Sequence, residues 1–272
     1  MRTSRLGVLA VVTAATIALA GCSASGGDES DAVADAPVVM KVAAVTAPMT
    51  DVVEAAGEAI EDGYEIELVE VSDYVTANTI VNDGDAYANF SQHVPYMEEF
   101  NAENGGTLVE VQPVYNFVIA FYSKTLDDIV DLPEGATIAV PNDSSNLGRA
   151  LKLLDAEGVI ALDPDVDPYA ATLDDIAENP KNAEFLEVPI GSLNAAYEEA
   201  DLVFQWPSHI AALGLNPEDD GLITELDDRF ALYVAVREAD AESAATAALK
   251  RAFASDEVRE VIESNGTIDV AW

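Results

Sequence analysis

Apolar and polar positions follow one another along this chain in two rhythms. "VVMKVAAV" (38–45) reads as a strand, and "DVVEAAGEAIED" (51–62) has the three-to-four spacing of an amphipathic helix that stops at Gly63. "YEIELVEV" (64–71) alternates as a half-buried strand does. "SDYVTANTIVNDG" (72–84) opens on capping residues and closes on glycine, and "QHVPYMEEFNAEN" (92–104) predicts a helix with Pro95 in its first turn. An extended stretch follows at 107–123, broken at Pro113, then a strand in "ATIAVP" and a helix over 146–157. Beyond an acidic loop, "DPDVDP", the pattern predicts a short helix near 172–178 and strands at 184–189, 201–206 and 229–238. Two helices, at about 241–254 and 256–264, end the chain.

Strands alternating with helices predict an α/β fold with largely parallel sheets. The long extended runs 114–122 and 230–236 are each followed by a fresh α/β segment. They fit two lobes joined by two crossing strands: lobe I from 37–117 plus 230–272, and lobe II from 118–229. One continuous sheet is equally compatible with the alternation.

The first 21 residues stand apart. "MRTSR" is basic, the following apolar run is about 15 residues, shorter than the roughly 20 a spanning helix needs, and it closes on Leu19-Ala20-Gly21-Cys22. This predicts a lipoprotein signal peptide over 1–21, with Cys22 acylated as the mature N-terminus. "SASGGDESDAVADA" after it is small, polar and acidic, so 22–36 is expected to be a disordered tether. Cys22 is the sole cysteine, which leaves no intramolecular disulfide. No later apolar run is long enough to span a bilayer, so lipid is the expected attachment, at the extracytoplasmic face of the cell membrane.

Charge narrows the partners. Loss of Arg2 and Arg5 with the leader leaves ten of the twelve basic residues against 51 acidic ones. Such a surface repels nucleic acid and anionic lipid. Enzyme signatures are missing too: no G-x-S-x-G, phosphate loop, G-x-G-x-x-G or H-E-x-x-H occurs. His93 and His209 are the only histidines, too few for a transition-metal site of His and Cys ligands. Asp163, Asp165, Asp167 and Asp174 have calcium-loop spacing, but Pro168 stands where that loop needs glycine, and an acidic turn is the better reading. No cofactor and no metal are expected.

Two stretches carry candidate chemistry. Tyr74 and the cluster Phe90, His93 and Tyr96 lie near predicted helix starts, where open α/β sheets bind ligands; packing in the core with His93 as a cap would explain them equally well. In "NDSSNLGRALKLL" the apolar stripe is Leu147, Ala150, Leu151 and Leu154, and Arg149 lies nearly opposite it, which predicts a side chain outside the core. Free N–H groups at that helix start and a guanidinium beside them could clamp a carboxylate. Opposite charges about 4 Å apart are worth roughly 4 kcal/mol at an effective dielectric near 20, while acids beyond about 8 Å are largely screened.

"VEVSDYVTANTIV", "DAYANFSQHVPYMEEFN", "LPEGATIAVPNDSSNLGRALKLL", "DDIAENPKN" and the terminal "VAW" resemble the methionine-binding lipoproteins of ABC importers, the NlpA family. The resemblance spans about 40–272. It implies a type II periplasmic-binding-protein fold, two α/β lobes hinged about a cleft, with an importer permease and its ATPase as partners. It implies an aromatic cage of Tyr74, His93 and Tyr96 for a thioether and a carboxylate clamp of Arg149 with Asn146. It also exposes departures. Ser91 replaces a cage phenylalanine, and Trp206, Ser208 and Leu232 stand where the family supplies asparagines to the amino acid head. Gln205, Ser208 or His209 could substitute, and Tyr115, Phe117 and Trp206 add aromatic surface. The expected role is capture of methionine or a related amino acid, without catalysis. The rival expectations are a different carboxylate-bearing small molecule on the same fold, or an adhesin or sensor lipoprotein.

Overall fold

Two mixed sheets organise the chain. The computed structural model describes residues 36–272. The strands are β1 (Val38–Ala44), β2 (Tyr64–Glu70), β3 (Ala88–His93), β4 (Leu108–Phe117), β5 (Ile119–Tyr122), β6 (Thr137–Pro141), β7 (Ala161–Leu162), β8 (Ile176–Glu178), β9 (Glu184–Val188), β10 (Leu202–Gln205), β11 (Ile223–Glu225), β12 (Leu232–Arg237) and β13 (Ile268–Val270). The helices are α1 (Met49–Ala59), α2 (Tyr74–Asn82), α3 (Val94–Asn104), α4 (Ser144–Ala156), α5 (Leu193–Ala196), α6 (Pro207–Ile210), α7 (Pro217–Asp220), α8 (Ala244–Phe253) and α9 (Asp256–Asn265).

The first sheet has the order β13-β4-β12-β3-β1-β2 and the second β11-β5-β10-β6-β9; β7 and β8 pair separately. In the first sheet β1 is parallel to β2 and β3, whereas β12 runs antiparallel to β3 and β4. In the second, β6 is parallel to β9 and β10, and β5 is antiparallel to β10 and β11. The expectation of largely parallel sheets therefore fails at β5 and β12, each entered directly from the other sheet with no crossover helix, and at β13, which pairs antiparallel with β4. The chain passes between the sheets at Val118 and again over 226–231.

Local chemistry sets the boundaries. Helix α1 turns Met49, Val52, Val53 and Ala56 to the core, a three-to-four spacing. Asp73 starts α2 by accepting the Thr76 N–H at 2.8 Å, and Ser243 and Ser255 cap α8 and α9 in the same way. Three sequence expectations need correction. The segment 92–104 is not all helix: β3 continues to His93, whose ring caps α3, and Pro95 marks the first turn. The helix expected near 172–178 is one 3₁₀ turn followed by β8, which pairs with β7. And α4 begins at Ser144, not 146, because Asp143 is its cap.

Strand β3 lies between β1 and β12 and is buried throughout, polar residues included. Buried amides need partners. Asn78 and Gln92 exchange side-chain hydrogen bonds, and Asn89 donates to Asn78 at 2.9 Å. Because β2 and β3 flank β1, the helices that follow β1 and β3 take opposite faces of the sheet, α1 packing with α8 and α9 and α3 with α2, and leave a crevice at that end.

Candidate functional site

That crevice faces the second sheet, and a cavity lies between them. From the first sheet and its helices come Met49, Tyr74, Ser91, Gln92, His93, Tyr96, Tyr115, Phe117, Leu232 and Ile268. From the second come Asn146, Ile190, Trp206, Pro207 and Ser208. The space open to the centre of a water molecule is about 40 Å³, a few times the roughly 10–15 Å³ that one water needs.

Side chains meet across it. Tyr74, the first residue of α2, places its hydroxyl 2.7 Å from Nε2 of His209 on α6. The backbone N–H of Tyr96 donates to Nδ1 of His93 at 3.2 Å, so in the neutral ring the proton is on Nε2, which donates to Oδ1 of Asn146 at 2.9 Å. Burial, with a smaller push from Arg149, holds the His93 pKa down at about 3 against the opposing Asn146 hydrogen bond. Burial likewise lowers His209 and raises the phenols of Tyr74, Tyr96 and Tyr115. The histidines are neutral at physiological pH and the tyrosines protonated.

The aromatic rings form edge contacts. Tyr74 and Tyr96 have centroids 6.2 Å apart, His93 and Phe230 4.9 Å, and Phe204 and Trp206 5.1 Å. Polarizable sulfur gains roughly 0.3–1.5 kcal/mol against such ring edges.

Of the residues singled out in the sequence, Tyr74, His93, Tyr96, Asn146, Trp206 and Ser208 line the cavity and Arg149 does not. Arg149 corrects the expectation of a side chain outside the core: it is 0% exposed. The face of α4 opposite the apolar stripe is covered by Phe230 and Glu225 from the returning chain. The guanidinium carbon is 4.1 Å from the Phe230 ring centroid and 5.5 Å from that of Phe117, and Nε donates to Glu225 at 2.7 Å. Lys152 shares Glu225 at 3.0 Å. Both terminal nitrogens of Arg149 are buried without a partner among the described residues. Burial draws the Arg149 pKa down and Glu225 opposes it, yet guanidinium stays charged. A cation with two unpartnered NH2 groups thus stands next to a cavity-wall ring. Gly148 keeps α4 close to its neighbour, since a Cβ there would collide with the Tyr169 backbone.

Sequence reasoning missed Glu225, Glu99 and several cavity residues, among them Met49, Ile190, Thr267 and Ile268. Glu99, on α3, accepts the backbone N–H of Ser144 at 2.8 Å and of Ser145 at 3.0 Å, joining the two sides of the cleft. Its signal was a glutamate one turn after Tyr96. Ile268 had none, because the β13–β4 pairing is set by tertiary contact. Cys22 lies outside the described residues. Among those residues no helix is long and apolar enough to cross a membrane.

Two α/β halves around a cleft lined from both sides define a type II periplasmic-binding-protein fold, the class of substrate-binding proteins. Comparison with known proteins makes the assignment specific. The model of the NlpA lipoprotein family matches residues 40–270, and the chain belongs to that family. A probable D-methionine-binding lipoprotein MetQ of Vibrio cholerae is 34% identical over 262 residues, 95% of this chain and 94% of that protein. The methionine-binding lipoprotein MetQ of Bacillus subtilis is 34% identical over 264 residues, with 95% and 94% covered. The solved structure of a nutrient-binding protein from Burkholderia cenocepacia bound to methionine superposes with a TM-score of 0.81 at 32% identity, covering 86% of this chain and all of that one.

Proposed function

We propose that this protein captures methionine or a related thioether carboxylate in the cleft and delivers it to the permease and ATPase of an ABC importer. The observation that carries the reading is the combination of an aromatic slot with a buried guanidinium beside it whose two terminal nitrogens are unpartnered. The thioether lies among Tyr74, His93, Tyr96 and Trp206. The carboxylate points toward Asn146 and Arg149, with Ser208 at the rim. The family and its methionine-binding relatives support this. The role is capture and release, without catalysis.

The working halves are 37–117 plus 230–272 and 118–229, a division that follows the two sheets. Residues 1–21 are removed as a signal peptide, diacylated Cys22 anchors the protein at the extracytoplasmic face, and 22–36 tethers it. Unfolding followed with increasing methionine and its analogues tests the reading. At about 100 times Kd a true ligand adds about 2.7 kcal/mol, several degrees in Tm for a chain of this length. No stabilisation by any thioether acid would refute the assignment.

A further inference from the structure

Glu225 touches the buried guanidinium with one oxygen only. A carboxylate against an arginine commonly closes a two-bond fork, each oxygen taking one N–H. Here Oε2 accepts from Nε of Arg149 at 2.7 Å, while Oε1 is turned to Nζ of Lys152 at 3.0 Å. Arg149 and Lys152 lie one turn apart on α4 and hold Glu225 from the same face of the helix. The division leaves both terminal nitrogens of Arg149 without a partner among the described residues, with the guanidinium carbon 5.5 Å from the Phe117 ring of the cavity wall. The Glu225 side chain is only 10% exposed, so little water can stand in for a partner lost on either oxygen.

The local charge agrees. In a chain with 12 basic and 51 acidic residues, three basic side chains meet here. Arg229 sets its guanidinium 3.7 Å from the Tyr169 ring centroid, and the hydroxyl of that ring donates to Asp227. Lys152 lies 4.8 Å from the same centroid. With Asp227 set against Arg229, and Glu225 against Arg149, Lys152 is the cation that leaves this group net positive. Without it the group is neutral, and Glu225 can turn its second oxygen onto Arg149. It would then compete for the same donors as an internal carboxylate at high effective concentration.

Resting on the proposed reading that Arg149 takes the ligand's carboxylate, we propose that Lys152 is a positioning residue for that clamp. It holds one oxygen of Glu225 and so keeps an internal acid off the two nitrogens the ligand needs. Lys152 is not among the residues that line the cavity and acts through Glu225.

Calorimetric titration of the full mature chain tests this, with methionine or whichever thioether acid stabilises the parent most. The variants are Lys152→Gln, Lys152→Arg and a double variant joining Lys152→Gln to Glu225→Gln, each also unfolded in urea. Lys152→Gln is expected to weaken binding about tenfold. Lys152→Arg keeps the charge and a donor for Oε1, and should stay within about twofold of the parent. The double variant has no carboxylate to compete. Its affinity should recover while its stability falls, a pairing that a purely structural role would not produce. Three results would each overturn the inference and leave the proposed function standing: Lys152→Gln binding as tightly as the parent, Lys152→Arg binding as weakly as Lys152→Gln, or a folded double variant no tighter than Lys152→Gln. A parent that binds no thioether carboxylate would overturn both.

Discussion

Arg149 shows how far a single side chain can depart from its sequence pattern. Its helical position faces away from the apolar stripe, yet the returning chain covers that face and buries the guanidinium against Glu225 and Phe230. Arg149→Ala should therefore cost stability as well as affinity. We expect a loss of about 3 kcal/mol in denaturant unfolding, the low end for breaking a buried pair, because Lys152 still neutralises Glu225. Arg149→Lys keeps the charge and loses the fork, so it should weaken ligand binding more than it weakens the fold. His93 supplies a second test. The unfolded chain protonates this ring near 6.5 and the folded one near 3, so the unfolded state binds more protons between those values. The contribution is complete above about pH 6.5 and is lost as pH falls. Between about pH 6.5 and pH 5 it should amount to roughly 2 kcal/mol, read as the difference in pH dependence of unfolding between parent and His93→Gln.

At the scale of elements, α4 is started from two directions. Asp143 caps it from within, while Glu99 reaches over from α3 to its first two N–H groups. Glu99→Ala should cost about 1 kcal/mol of cleft closure, a ligand affinity lowered about fivefold, with little change in unfolding. Titration of the variant with its ligand checks this. Most elements were legible because their signals are local: Asp73, Pro95 and Ser243 each sit at a real helix start. The misreadings have a common cause. Strand β3 carries Asn89, Ser91, Gln92 and His93 in full burial, so its polarity looks like a helix or loop until the amide network that satisfies it is seen. Strands β7, β8, β11 and β13 are two or three residues long, and only their partners make them strands.

At the scale of the whole molecule, Tyr74, His93 and Tyr96 could be singled out because they sit in local motifs that resemble the family's, and the surroundings of Arg149 could not, because Glu225 is distant in sequence. Trp206 is 8% exposed and lines the cavity, so its fluorescence should shift on saturation with ligand; an unchanged spectrum would count against its place in the binding wall. The way the chain crosses has a mechanical result. Among the described residues each strand ladder is contained within its own sheet, and the cleft is bridged by side chains: Tyr74 to His209, His93 to Asn146, Glu99 to the start of α4. The molecule therefore has a seam along which it can gape while both ladders stay whole. Handing over its cargo breaks a few weak fasteners and no backbone weave, so a cycle of loading and unloading can repeat without bringing the protein near its melting transition.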